Sequence, residues 1–248
     1  MVKDLIGATL YADKVKSILD QVMTTQNESF DCAAEAVVRT IKQGGVVYLF
    51  GTGHSHMLAE EGHCRAGGLA PVIPILVSGL MLHESAINSG KLERLLGLAA
   101  TILSHYQPTA NDVMFIFSNS GVNAVPVEMA IEAKKLGMTV IGVLAVAYAS
   151  VAPVNSTGKR LNEIADIVID NKIPAGDALV EVGQSGLRSG PASTVVGAFI
   201  LNSIFTEVVY RINSAGIEPP VYISSNMPGA AEHNQRLVQR EKTRNPHL

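Results

Sequence analysis

Two cysteines in 248 residues, Cys32 and Cys64, are too few for a disulfide framework, which predicts a reducing, cytoplasmic setting. Charge is scarce too: 17% of residues are Asp, Glu, Lys or Arg, against 47% hydrophobic. With a formal net charge of −3 the chain offers no field attractive to nucleic acid. Basic residues gather only near the end, at Arg236, Arg240, Lys242 and Arg244, where a solvated face is expected. Met1 to Asp4 lacks the cationic start and apolar run of a signal peptide. The one long apolar stretch, Ala192 to Ile212, is interrupted by Asn202, Ser203, Thr206, Glu207 and Arg211. A buried or interface helix is therefore expected there, not a membrane span. Linkers, internal repeats and low-complexity runs are missing, so residues 1–248 read as one domain.

What is present alternates. Two amphipathic helices, from about Asp4 to Gln26 and from Ser29 to Gln43, lead the chain, with Asn27 or Ser29 as the cap between them. Short β-rich runs follow at Val46–Phe50, Val72–Val77, Val113–Phe117, Thr139–Ala145 and Ile167–Asp170. Helical patterns separate them at His54–Arg65, Lys91–His105, Ala124–Leu136 and Lys159–Ala165. A long helix from about Pro191 to Asn213 precedes a tail that starts extended and ends in a short polar helix. Continuous apolar strands alternating with helices predict an α/β fold, a parallel sheet covered on both faces. Such sheets bind ligands beyond the carboxyl ends of their strands.

Two of those strand ends are unusual. The third runs into Ser118-Asn119-Ser120-Gly121-Val122-Asn123, a turn of hydroxyls, amides and one glycine opening a helix. Gly121 lets the backbone approach closely, and the helix dipole and first N–H groups favour an anion. The turn has no lysine and no Gly-Lys-Ser/Thr ending, which excludes a nucleotide triphosphate loop and suits one phosphate monoester. The first strand ends in Gly51-Thr52-Gly53-His54-Ser55. His56 occupies the third glycine position of a dinucleotide fingerprint, and no acidic residue ends the second strand, which argues against a nicotinamide cofactor.

Together these two loops resemble those of the sugar isomerase (SIS) domain family, over roughly Ala33 to Asn213. The resemblance implies a three-layer α/β/α sandwich with a five-stranded parallel sheet (residues 45–213) behind N-terminal helices (1–44). It also implies a phosphosugar ligand. By the same resemblance Ser55, Ser118, Ser120 and Asn123 would hold the phosphate, Asn119 would assist through its backbone, and Gly53, His54 and Gly121 would shape the cradle. The leading helices and His56-Met57-Leu58-Ala59-Glu60-Glu61 are similar to phosphoheptose isomerase. The segment from Ser185 to Ala192 instead resembles the signature of N-acetylmuramic acid 6-phosphate etherase and glucokinase regulatory protein. Arg188 there matches a lysine of that signature just before a helix start, and its planar fork suits an acid or phosphate oxygen. The C-terminal segment, 214–248, is expected to close the site or an interface, with His233 a candidate proton shuttle. A sugar-phosphate isomerase is thus the leading expectation, with a non-catalytic phosphosugar sensor and an etherase-like lyase as alternatives.

Isomerising an aldose phosphate needs a carboxylate base and an acid to move a proton between oxygens. Candidate carboxylates are Glu60, Glu61, Glu84 and Glu181. Glu60 comes first because it shares a helix face with His56 at i and i+4, and Glu84 second because its loop follows the second strand. His54, His56, His63 and Cys64 do not have structural-zinc spacing. No cofactor is expected, although a catalytic zinc on His56, Glu60 and a distant histidine stays open. His63 is read as helix packing, Cys64 as a small buried hydrophobe and Arg65 as a salt-bridge partner or substrate contact. More apolar helix surface than one sheet absorbs predicts a homodimer or homotetramer.

Overall fold

The computed structural model describes residues 5–248. The expected helix start at Asp4, and the reading of Met1 to Asp4, lie outside them. The leading pair forms as α1 (Ile6–Thr25) and α2 (Asn27–Lys42). Neither proposed cap serves: Asn27 and Ser29 lie inside α2, and Gln26 flanks it without a side-chain cap. In α2 the positions Ala34, Val37 and Val38 repeat at helical spacing and are buried.

Five strands, β1 (Val47–Gly51), β2 (Val72–Ile75), β3 (Val113–Phe117), β4 (Thr139–Leu144) and β5 (Ile167–Asp170), form one sheet in the order β2-β1-β3-β4-β5. All pairings are parallel. Successive side chains leave opposite faces of a strand, so each strand feeds two cores. Val47, Leu49, Phe115, Phe117 and Val143 meet one helical layer: α1, α2, α3 (His56–Glu61) and α8 (Ser193–Ser214). Tyr48, Phe50, Met114 and Ile116 meet the other, with α5 (Leu98–Tyr106) and α6 (Ala124–Lys135). Two cores on two faces make the expected three-layer sandwich.

Helix α8 is long and apolar enough by composition to cross a membrane. Its Val196, Ile200, Ile204 and Val208 stripe is buried in the first core, while Thr206, Glu207 and Tyr210 face outward.

Three local departures bear on the site. The helix expected over Lys91–His105 is two, α4 (Ala86–Leu92) and α5, broken at Gly97. Gly97 adopts φ +81, and its N–H binds the Glu128 carboxylate at 2.8 Å. A short α7 (Val146–Val151) follows β4. Before α8 the chain makes an antiparallel hairpin of β6 (Ala178–Glu181) and β7 (Arg188–Pro191).

Candidate functional site

The strand order creates the site. After β1 the chain crosses to β2 on one side and after β3 it crosses to β4 on the other, so the loops after β1 and β3 part company at a crevice beyond their carboxyl ends. Gly51 pairs with Phe117, which sets the two loops side by side.

Each loop turns on a glycine. A Cβ on Gly51 would run into the carbonyl of Ser55, so its absence lets residues 53–55 fold back as a 3₁₀ turn. Gly121 has φ +64, and a Cβ there would come within 2.7 Å of Leu144 Cδ1. Its own N–H binds Ser118 O at 2.9 Å, and its carbonyl accepts from Leu161 at 2.9 Å. The backbone N–H groups of Ser120, Val122, Asn123 and Ala124 find no acceptor among the described residues. The next N–H of α6, on Val125, is taken by Glu93 O at 2.9 Å, and Pro126 has none. A ring of unpaired donors at a helix start suits an anion.

The two loops line one open cavity of about 540 Å³ with Thr52, Gly53, His54, Ser55, Ser118, Asn119, Ser120 and Asn123 on its walls. That is within the range of roughly 300–1,000 Å³ usual for small-ligand sites. Beneath it Ser55, Ser118 and Asn119 border a crevice of about 10 Å³ that also touches Asn171, Ser193 and Thr194. Gly121 shapes the loop from behind. The phosphate-binding set expected from the two loops therefore stands together.

The expected carboxylates stand elsewhere. Glu60 is exposed on α3, its Oε1 3.6 Å from Nε2 of the buried His56. The His56 Nδ1 meets Gly53 O. No third His, Cys, Asp or Glu joins this pair among the described residues. Glu61 is held by Asn202 at 2.8 Å and by Arg65, which gives Arg65 its structural reading. Glu84, in the loop before α4, and Glu181, on β6, are exposed and off the cavity wall. Cys64 is exposed, not buried.

Glu93 is the carboxylate the cavity does contain. Thr52 Oγ1 donates to Glu93 Oε2 at 2.7 Å, and Arg94 Nη1 lies 3.0 Å from Oε1. Its side chain is 14% exposed. Reading Lys91–His105 as one helix hid it. Gly97, inside that run, was the signal that could have exposed a break and placed Glu93 at a helix end.

Arg188 opens β7, a strand placed between it and the start of α8 at Ser193. Its guanidinium donates through Nε to Ala178 O at 3.0 Å and through Nη2 to Leu179 O at 3.1 Å across the hairpin, and it is not on the wall of the two-loop cavity. His233 lies on α9 (Ala230–Glu241) with Nε2 2.8 Å from Val221 O. It lines a separate depression with Glu218 and Arg236. The tail does not close its own chain's cavity. It runs past the amino ends of β1, β2 and β3, where Gly67 N meets Tyr222 O at 2.7 Å and Asn245 Nδ2 meets Val72 O at 3.1 Å. Arg244 makes two bonds, of 2.9 and 2.7 Å, to the buried Asp112, so it is no solvated charge. Burial alone would raise the Asp112 carboxyl. The Arg244 bonds, with N–H bonds from Val46 and Thr109, outweigh burial and hold it below the usual carboxylate range. Beside them His63 and His247 are pushed below the ordinary histidine value, chiefly by burial. A second cavity, of about 530 Å³, sits at this end. Its Arg240 and Arg244 are already paired, with Glu241 and Asp112.

Residues 10–145 match the SIS domain family. A UPF0309 protein of Halalkalibacterium halodurans is 44% identical over 241 residues, covering 97% of this chain and 96% of that protein. The chain belongs to the SIS domain family and, within it, to the UPF0309 group. Among solved structures, a phosphoheptose isomerase from Francisella tularensis superposes with a TM-score of 0.56 at 14% identity, over 82% of this chain and 97% of that one. The Vibrio vulnificus NanR protein, complexed with ManNAc-6P, does so with 0.52 at 14% identity, over 96% and 70%. At such identity these two show a shared fold.

Proposed function

We propose that the chain binds a sugar phosphate in the cavity at the carboxyl ends of β1 and β3 and interconverts its aldose and ketose forms. The observation that carries this reading is the meeting, in one cavity, of the two donor-rich loops and a carboxylate. Ser55, Ser118, Ser120, Asn123 and the free N–H groups of the second loop take the phosphate. The sugar then extends toward Thr52 and Glu93.

Glu93 replaces Glu60 and Glu84 as the base in this scheme. It removes the proton from the carbon beside the carbonyl and returns it to the neighbouring carbon, while His54 at the rim moves a proton between the two oxygens. Family membership and the fold shared with a phosphoheptose isomerase support the same direction. The exposed Ile6, Leu10 and Met23 of α1 support self-association, which sedimentation tests.

One observation favours a second reading, a sensor without turnover. Both Glu93 oxygens are already engaged, by Thr52 and Arg94, and a base must leave one of them. Incubating the protein in deuterated water with hexose, heptose and amino-sugar phosphates separates the readings. Deuterium entering at C2 supports the isomerase, and tight binding without exchange supports the sensor. Glu93→Gln should bind within a few-fold of native while exchange falls by roughly 10²–10⁴, the usual worth of a general base. Normal exchange in that variant removes Glu93 from the reaction.

A further inference from the structure

Asn171 borders the small crevice beneath the cradle but not the larger cavity. Asn171 follows β5 and is 3% exposed. Its Oδ1 accepts from the backbone N–H of Ile173 at 3.0 Å. A backbone N–H can meet only an oxygen, so this contact fixes which way round the Asn171 amide lies. Its Nδ2 is thereby turned to Asn119, and the atom it meets, at 3.0 Å, must be Asn119 Oδ1. That leaves Asn119 Nδ2 without an acceptor among the described residues, on a residue that lines the cavity. The backbone of Asn119 is pinned as well, its carbonyl accepting from Ala145 N at 3.0 Å.

From this chain of contacts we infer that Asn171 is a positioning residue. It relays the polarity of the Ile173 N–H through two amides and fixes Asn119 as a hydrogen-bond donor toward the ligand. The fixed groups that the second loop leaves for a ligand, the N–H groups of Ser120, Val122, Asn123 and Ala124 and the Asn119 amide, are then donors, and the site selects a phosphomonoester over its uncharged sugar. This deepens the reading of the cavity as a phosphate site and rests on it.

Asn171→Asp reverses the relay without removing the acceptor that Ile173 needs. A carboxylate has only oxygens to show, so Asn119 must turn its Nδ2 to Asp and present Oδ1 to the ligand. Binding of inorganic phosphate and of fructose 6-phosphate, followed by calorimetry on variants whose melting confirms folding, should weaken roughly 10- to 100-fold, the range expected for one bond to a charged group. Asn119→Ala should weaken binding by less, since it removes a donor without adding an acceptor. The decisive variant carries both changes. With Asn119 gone there is no amide to reverse, so the double variant should bind better than Asn171→Asp alone. If the double variant binds worse than either single one, the charge at 171 acts directly and the relay is wrong. Unchanged binding in Asn171→Asp also overturns it.

A second measurement needs no ligand. In the native protein the side-chain amide protons of Asn171 should exchange slowly with solvent and those of Asn119 quickly. The opposite order refutes the relay even if no phosphate binds, and native protein that binds no phosphate refutes the proposed function instead.

Discussion

Two glycines in the cradle offer a matched comparison. Gly53 and Gly121 both adopt left-handed backbone, with φ +56 and +64, but nothing lies within 4 Å of a Cβ built on Gly53, while one on Gly121 would come 2.7 Å from Leu144 Cδ1. Alanine at either position carries the left-handed penalty, about 1–2 kcal/mol. At Gly121 the methyl must also displace Leu144, which is fully buried in the second core. Overpacking of that kind costs about 1–3 kcal/mol more. Gly53→Ala should therefore lose about 1–2 kcal/mol in urea unfolding and Gly121→Ala about 2–5 kcal/mol. Phosphate affinity should follow a different rule. Gly121→Ala pushes the Ser118–Asn123 turn away from β4 and should weaken binding along with stability, whereas Gly53→Ala should leave binding close to native. Equal stability losses in the two variants would show that Leu144 yields freely and that close packing does not hold the second loop.

Other expectations concern the opposite end of the sheet. The Asp112 carboxyl lies below its ordinary 3.8, so its contribution is complete above that pH and is lost as pH falls through the lower folded value. Asp112→Asn should lower stability at pH 7 by about 3–5 kcal/mol, because Arg244 loses its buried partner. It should also flatten the acid limb of the stability curve below about pH 4. His63 and His247 lie below 6.5 when folded. The unfolded chain therefore takes up protons first, and stability should fall as pH drops below about 6.5. His63→Phe should reduce that slope in pH-dependent melting, and an unchanged slope would remove His63 as its source.

The sheet was legible because its strands are continuous apolar runs: Val113–Phe117 and Ile167–Asp170 occur where the pattern puts them. The half of the site proposed to hold the phosphate was legible for a similar reason. Its residues are contiguous, so Ser118, Asn119, Ser120 and Asn123 announce themselves in one short stretch. The half proposed for the sugar is assembled from distance. Glu93 reaches the cavity only because Gly97 breaks a helix and Thr52 Oγ1, 41 positions earlier, holds the carboxylate. Asn171 acts through an amide 52 positions away. The hairpin was missed because β6 and β7 have four residues each, with Gly190 inside the second. Arg188, read as an anion fork from its match to a signature lysine before a helix, makes two of its bonds to that hairpin instead.

The strand-end groups at the two ends of the sheet are paired differently, which bears on where the tail lies. At the amino ends the last residues of the chain satisfy what the strands leave open. Asp112 takes the N–H of Val46 at 2.8 Å and the two bonds of Arg244, and Asn245 donates to Val72 O. Closing those groups adds stability, because a buried polar group without a partner costs about 1–3 kcal/mol. At the carboxyl ends the N–H groups of Ser120, Val122, Asn123 and Ala124 are left without acceptors among the described residues. The same accounting that favours the tail at one end makes an anion favourable at the other. A tail that folded over its own cavity would leave Asp112 buried without the guanidinium of Arg244. The charge pattern of the tail thus fits the amino ends of the strands, and the unsatisfied loops remain available to a phosphate.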